Sequence, residues 1–281
     1  MKHYPLPVIA IRGAGDLATG VALRLYRAGF NQLVLLETDN PLAVRRTVCF
    51  SDAVYHHSTT VENVTAVRIE TPAEVVTTWD AGKIPVLCDP AADCLTCLEP
   101  DILVDAIIAK QNIGTNMSMA PLVIGLGPGF TVSKNVHRII ETKRGHTLGR
   151  VLETGSAIPN TGIPGAVQGY TTERVYWAVQ DGTFTTEYAI SDSIKAGDEL
   201  GRIGGTPILA KISGVIRGLL RNGTIVRKGT KVGDIDPRGD AQHCYTVSDK
   251  ALAIGGGVLE AVTAFLISQT NAPRLSEVQN G

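Results

Sequence analysis

The chain has 281 residues, with 26 lysines and arginines against 27 aspartates and glutamates, and 44% of its residues are hydrophobic. That length suits two domains of ordinary size, and a net charge of −1 excludes a protein drawn by bulk charge to nucleic acid or an anionic bilayer. Apolar runs fall short of the roughly 18 residues of a membrane span, and five cysteines without an export signal read as free thiols in a reducing, cytoplasmic compartment.

VIAIR (8–12) is a β-branched apolar run and predicts the first strand. RGAGDLATG (12–20) follows, and DLATGVALRLYRAGF sets Leu17, Val21 and Leu25 on one helical stripe closing at Gly29. LVLLE (33–37) is the next strand and ends on Glu37, 22 residues after Gly15. In this strand, turn, helix, strand context the G-x-G-x-x-A spacing acquires a physical meaning. Gly13 permits the tight turn, Gly15 lets the backbone approach a pyrophosphate, and Ala18 lets the helix pack close to the strand. Asp16 and Thr19 stand at the helix start, where unpaired N–H groups favour an anion. Glu37 would accept hydrogen bonds from ribose hydroxyls. The alternative is a tight turn that binds nothing.

AVYHH (53–57), AVRIE (66–70), IPVLCD (84–89), ILVDAI (102–107) and PLVIGL (121–126) predict further strands, alternating with helical turns. The pattern argues for a Rossmann-like parallel sheet, whose ligands gather outside the carboxyl ends of the strands. Asp89, Asp105 and the turn carrying Gly127 and Gly129 are expected to line that crevice with Asp16 and Glu37. CDPAADCLTC (88–97) supplies Cys88, Cys94 and Cys97. A zinc site wants a fourth ligand that the local sequence lacks, so no metal is expected. Cys94 and Cys97 are either ordinary thiols or a pair for redox or chalcogen chemistry, against which Asp89, Asp93 and Glu99 count. Lys110 is the remaining candidate for a catalytic group, as a general acid. Arg45 and Arg46 either meet a phosphate or lie on a solvated face.

Glycine and proline then crowd SAIPNTGIPGAVQGY, which predicts a nucleotide-binding domain over 1–150 and a β-rich domain with a terminal helix over 151–281. Within the second, IKAGDELGRI (194–203) and VRKGTKVGDI (226–235) repeat one pattern 32 residues apart. Two such units can close on one another. The pattern resembles the barrel-sandwich hybrid of biotinyl and lipoyl domains, although the tip GGTPI (204–208) has no lysine to modify and Lys211 lies past it. DPRGD (236–240), SDK (248–250) and the triplet Gly255–Gly257, read as a glycine-rich helix start, offer either an anion site or a docking surface.

RGAGDLATGVALRLYRAGF, VDAIIAKQNIGT, APLVIGLGPGF, ETKRGHTLGRV, ISGVIRGLLRNG, DIDPRGD and SDKALAIGGGVLEAV together resemble the YqeB type of selenium-dependent molybdenum hydroxylase system proteins, over about residues 8–267. The resemblance implies an accessory factor in molybdenum hydroxylase maturation, distantly similar to xanthine dehydrogenase accessory factors. Its expected ligand is a nucleotide or dinucleotide, either molybdopterin cytosine dinucleotide or NAD(P). Its expected partners are a molybdenum hydroxylase apoenzyme or cofactor-biosynthesis proteins, with no nucleic acid and no membrane. An NAD(P)-dependent oxidoreductase and a nucleotide-responsive scaffold or sensor are the other readings.

Overall fold

The computed structural model describes residues 6–271. Its first part runs through β1 (Ile9–Arg12), α1 (Asp16–Arg27), β2 (Leu33–Glu37), α2 (Ala53–His56), β3 (Ser58–Val61), β4 (Val64–Ile69), α3 (Val75–Asp80), β5 (Ile84–Cys88), α4 (Leu95–Leu98), β6 (Ile102–Asp105), β7 (Leu122–Leu126), β8 (Arg138–Ile140) and β9 (Val151–Leu152). The nine strands form one sheet in the order β3-β4-β5-β2-β1-β6-β7-β8-β9. From β4 to β8 the neighbours are parallel, whereas β3 and β9 run antiparallel at the edges. The chain leaves β1 toward β2 on one side and reaches β6 on the other, so the order reverses at β1, where a crevice opens beyond the strand ends.

The next part consists of β10 (Val175–Trp177), β11 (Gly182–Thr185), β12 (Ser193–Ile194), β13 (Glu199–Ile203), β14 (Thr206–Leu209), β15 (Gly214–Leu219), β16 (Thr224–Val226) and β17 (Lys231–Asp236). They make two four-stranded sheets, β10-β17-β15-β12 and β14-β13-β11-β16. The two repeat copies are strand, turn, strand units: β12 to β13 and β16 to β17. Their apolar positions Ile194, Leu200, Ile203, Val226, Val232 and Ile235 form the core between the sheets. Gly197 and Gly229, equivalent in the repeat, turn the chain at φ +94° and +84°, which L side chains resist.

The structure departs from several of these expectations. The large sheet is mixed and nine-stranded, and small antiparallel sheets follow it, so a Rossmann-like parallel domain with a barrel-sandwich hybrid appended does not describe this architecture. Its last strand, β9, lies beyond residue 150 and still belongs to the large sheet. AVYHH forms α2 instead of a strand: Ala53 and Val54 face the core while Tyr55 and His56 are exposed, and so short an apolar run does not distinguish the two periods. Finally, α5 (Asp249–Asn271) begins before Gly255–Gly257 and carries them in its interior.

Those glycines explain where α5 goes. It returns to the large sheet and packs beside α1 over Ile9, Ile11, Leu33 and Leu35, burying Ile254, Val258 and Val262 completely. A Cβ on Gly20 would stand 2.7 Å from the Ala251 side chain, and one on Gly255 would stand 2.6 Å from the Gly20 carbonyl oxygen. The two helices therefore cross at backbone contact. By length and composition Asp249–Thr270 is apolar enough to span a membrane, with mean hydropathy 1.8, contrary to the expectation that no stretch reaches that size. Its buried stripe is covered here by α1 and the sheet. The opposite sheet face buries Ala10, Val34, Leu36 and Leu103 under α3, α4 and Phe130.

Replacing Gly20 by valine is expected to lower the unfolding free energy by about 1–3 kcal/mol, the usual range for overpacking, in urea denaturation. Unchanged stability would contradict backbone contact between α1 and α5.

Candidate functional site

A crevice of about 1410 Å³ lies between the carboxyl ends of β1, β2 and β6 and the sheet containing β10, β15 and β17. On the first wall, the turn after β1 is drawn tight. The Gly13 amide donates to the Leu36 carbonyl at 2.6 Å, and a Cβ on Gly13 would press on the Ala106 carbonyl at 3.0 Å. The Glu37 carboxylate accepts from the Ala14 amide at 2.9 Å and from the Thr38 amide at 2.8 Å. It thus bridges the ends of β1 and β2, with lone pairs left over on both oxygens.

The start of α1 receives no side-chain cap, so its first amides remain unpaired by the protein. Gly15, Asp16 and Leu17 all line the crevice. Arg45, 6% exposed, neutralises Asp16 at 3.1 Å and donates to the carbonyls of His243 and Thr246, both at 2.9 Å. Because Gly20 meets Ala251 and Arg24 reaches the Leu252 carbonyl, α1 and α5 run side by side with their N-termini at the same corner. The Ser248 hydroxyl caps α5 by accepting from the Ala251 amide at 3.1 Å.

Lys250, half-buried, projects from this corner and lines the crevice. Among the described residues it makes no ion pair, while nearby Asp249 is taken by Arg144 at 2.7 Å. Burial pushes the Lys250 ammonium below its ordinary value, and Arg144 pushes the same way. The opposite wall carries Arg174, Arg217, Lys231 and Asp234 beside Trp177. Although burial alone would raise the Asp234 carboxyl, Lys231, Arg217 and Arg174 hold it well below the usual carboxylate range.

The positions singled out from the sequence divide sharply. Gly13, Gly15, Asp16, Glu37, Asp89 and Lys110 line the crevice. Thr19 does not: it is fully buried, accepting from the Phe50 amide at 2.9 Å, and braces α1 against the following loop. Ala18 is also fully buried and contributes packing alone. Asp105 is 2% exposed and is consumed by Thr115 at 2.5 Å and the Ile107 amide at 3.1 Å. Gly127 and Gly129 reverse the chain, a Cβ on Gly129 standing 2.7 Å from Gln111 backbone. They pack against protein, while Pro128 between them lines the crevice.

Cys94 is buried and its thiol is pushed well up by burial and by Asp89. The Cys97 thiol donates to the Cys94 carbonyl at 3.1 Å. Neither lines the crevice. Among the described residues no group of three His, Cys, Asp or Glu side chains is placed to hold a metal. The charged wall of β15 and β17 was missed. Its signal was present in VIRGLL and GDIDP, where charges interrupt strands otherwise apolar.

No protein-family model matches the chain. It is 50% identical over 255 residues to the uncharacterized protein YqeB of Escherichia coli (strain K12), a match covering 91% of this chain and 47% of that one. This supports the YqeB family. The chain spans about half the length of that curated relative. Solved structures that superpose include the apo ectoine utilization protein EutE (DoeB) from Ruegeria pomeroyi, at 10% identity, 82% and 86% coverage of the two chains and a TM-score of 0.24. An aspartoacylase family protein from Mesorhizobium loti superposes at 13% identity, 82% and 85% coverage and a TM-score of 0.27. Scores this low support no statement about chemistry. The YqeB relative is described only as uncharacterized, so molybdenum hydroxylase maturation and selenium stand as expectations from the sequence.

Lys250→Met is expected to raise stability at pH 7, because a lysine with a depressed value costs the folded state while it is charged. The advantage should shrink as pH rises from the folded-state value toward the ordinary lysine value of 10.5, where both states shed the proton. Denaturant melts at pH 7 and pH 10 test this; equal stability at pH 7 would contradict it.

Proposed function

We propose that the chain binds a nucleotide-type ligand in the crevice, its phosphates seated on the unpaired amides of α1 and its ribose reaching Glu37. Gly15 carries the reading. Its backbone is extended, at φ −72° and ψ −170°, a conformation open to any residue, and a Cβ built there meets nothing within 4 Å. Neither strain nor packing within the protein asks for glycine, whereas close approach of a pyrophosphate does. The uncapped helix start supplies N–H donors and partial positive charge.

The electrostatics agree. Asp16 alone would oppose an anion at the helix start, but Arg45 neutralises it. A second helix N-terminus stands beside the first, and Lys250 adds a cation kept at a cost to stability, a pattern common at functional sites. Glu37 reads as the ribose partner because its carboxylate is held in place by two backbone amides and so presents its free lone pairs in a fixed direction.

Calorimetric titration with ADP tests the reading. The wild type should bind, and Gly15→Val, whose Cβ meets no protein atom within 4 Å, should lose binding while keeping its melting temperature. Equal affinity in both proteins, or no binding by the wild type, would overturn it.

A further inference from the structure

The charged wall across the crevice is a site in its own right. Arg174 precedes β10, Trp177 ends it, and Lys231 and Asp234 lie on β17 while Arg217 lies on β15; these are three adjacent strands of one sheet, with Trp177 in register with Lys231. Asp234 is 2% exposed and receives Arg174 at 2.9 Å, Arg217 at 3.0 Å and Lys231 at 3.1 Å. Arg217 also reaches Asp236 at 3.3 Å, and Asp236 is separately matched by Arg238 at 2.6 Å. Counted with Asp236 and Arg238, four cations meet two carboxylates, a surplus of two positive charges in the cluster.

Buried charge is retained in proteins when it is paired, and here the pairing is incomplete. Arg174 and Arg217 are 6% and 9% exposed, and the Arg217 Nε has no hydrogen-bond partner. Arg174 spends its remaining donors on the Gly165 carbonyl, which fixes the guanidinium. Lys231 is the most accessible of the three, with its side chain 33% exposed. Trp177, 39% exposed, offers an unpartnered aromatic face beside the cluster.

We infer that Arg174, Arg217 and Lys231 form a second phosphate subsite. Its ligand group is a dianionic phosphate monoester, whose charge of about −2 at neutral pH matches the surplus, attached to a flat ring that stacks on Trp177. Taken with the proposed nucleotide reading, on which this extension rests, the ligand carries two separated phosphate groups, one at each wall. The subsite itself follows from the charge count alone.

Titration of ¹⁵N-labelled full-length protein with inorganic phosphate at pH 7.5 reads both walls at once. Trp177 reports the second wall through its indole N–H, one of only two indoles in the chain, and the Gly15 and Leu17 amides report the first. The Trp177 signal is expected to shift and saturate. Lys231→Gln should raise the phosphate Kd at that signal by about tenfold or more, the scale of one charge-assisted hydrogen bond, and Lys231→Arg should restore it. If Gly15 and Leu17 shift while Trp177 is silent, the second subsite is overturned and the nucleotide reading survives. If Trp177 responds while Gly15 and Leu17 do not, the reverse holds. A Trp177 shift of equal affinity in Lys231→Gln also overturns the subsite.

Discussion

The guanidinium of Arg45 is the point through which both walls of the crevice are fixed. It is buried, pairs with Asp16 at the first residue of α1, and donates to the carbonyls of His243 and Thr246 that lead into α5. Around it the same loop makes further ties: the Arg46 guanidinium donates to the Leu219 carbonyl at 2.8 Å, and the Leu219 amide donates to the Val44 carbonyl at 2.8 Å. Arg221 pairs with Asp52 and lies 4.3 Å over the Tyr55 ring. These ties join the segment after β2 to β15 and to the segment before α5, and so hold the small sheets against the large one. The crevice is consequently a preformed space, and preformed sites bind with less ordering cost.

Charge is arranged with the same economy. Carboxylates near the helix start are each occupied: Asp16 by Arg45, Glu37 by two amides, Asp249 by Arg144. Cations on the facing walls outnumber their partners, with Lys250 unpaired and Arg174, Arg217 and Lys231 sharing Asp234. A cleft lined by more cations than carboxylates attracts anions more strongly than the same charges would in water. The net charge of −1 gave no hint of this, because it averages over the whole chain.

Local signals were legible wherever one element decides the outcome. The β1 strand, the α1 stripe and β2 ending on Glu37 all occur as their periodicity predicts, and the repeat marked the core positions of the small sheets. Long-range decisions were not legible. Gly255–Gly257 look like a helix start in isolation, and only the meeting of Gly255 with Gly20 across 235 residues of chain shows that they are a packing surface. Gly127 and Gly129 resemble a phosphate turn for the same reason, since backbone that packs against Gln111 and backbone that packs against a ligand need the same residue. Asp105 and Thr19 are turned inward, Asp105 to Thr115 and Thr19 to the Phe50 amide, partners that their local sequence does not announce.

The central claim is that the space in front of Gly15 is occupied by a phosphorylated small molecule. Native mass spectrometry of the protein purified without added ligand, followed by denaturing release and phosphorus detection, tests it most directly. The account predicts a phosphorus-containing adduct on the wild type that is absent from Gly15→Val. A wild type free of any such adduct when saturated with cell extract, or an adduct retained equally by Gly15→Val, would contradict it.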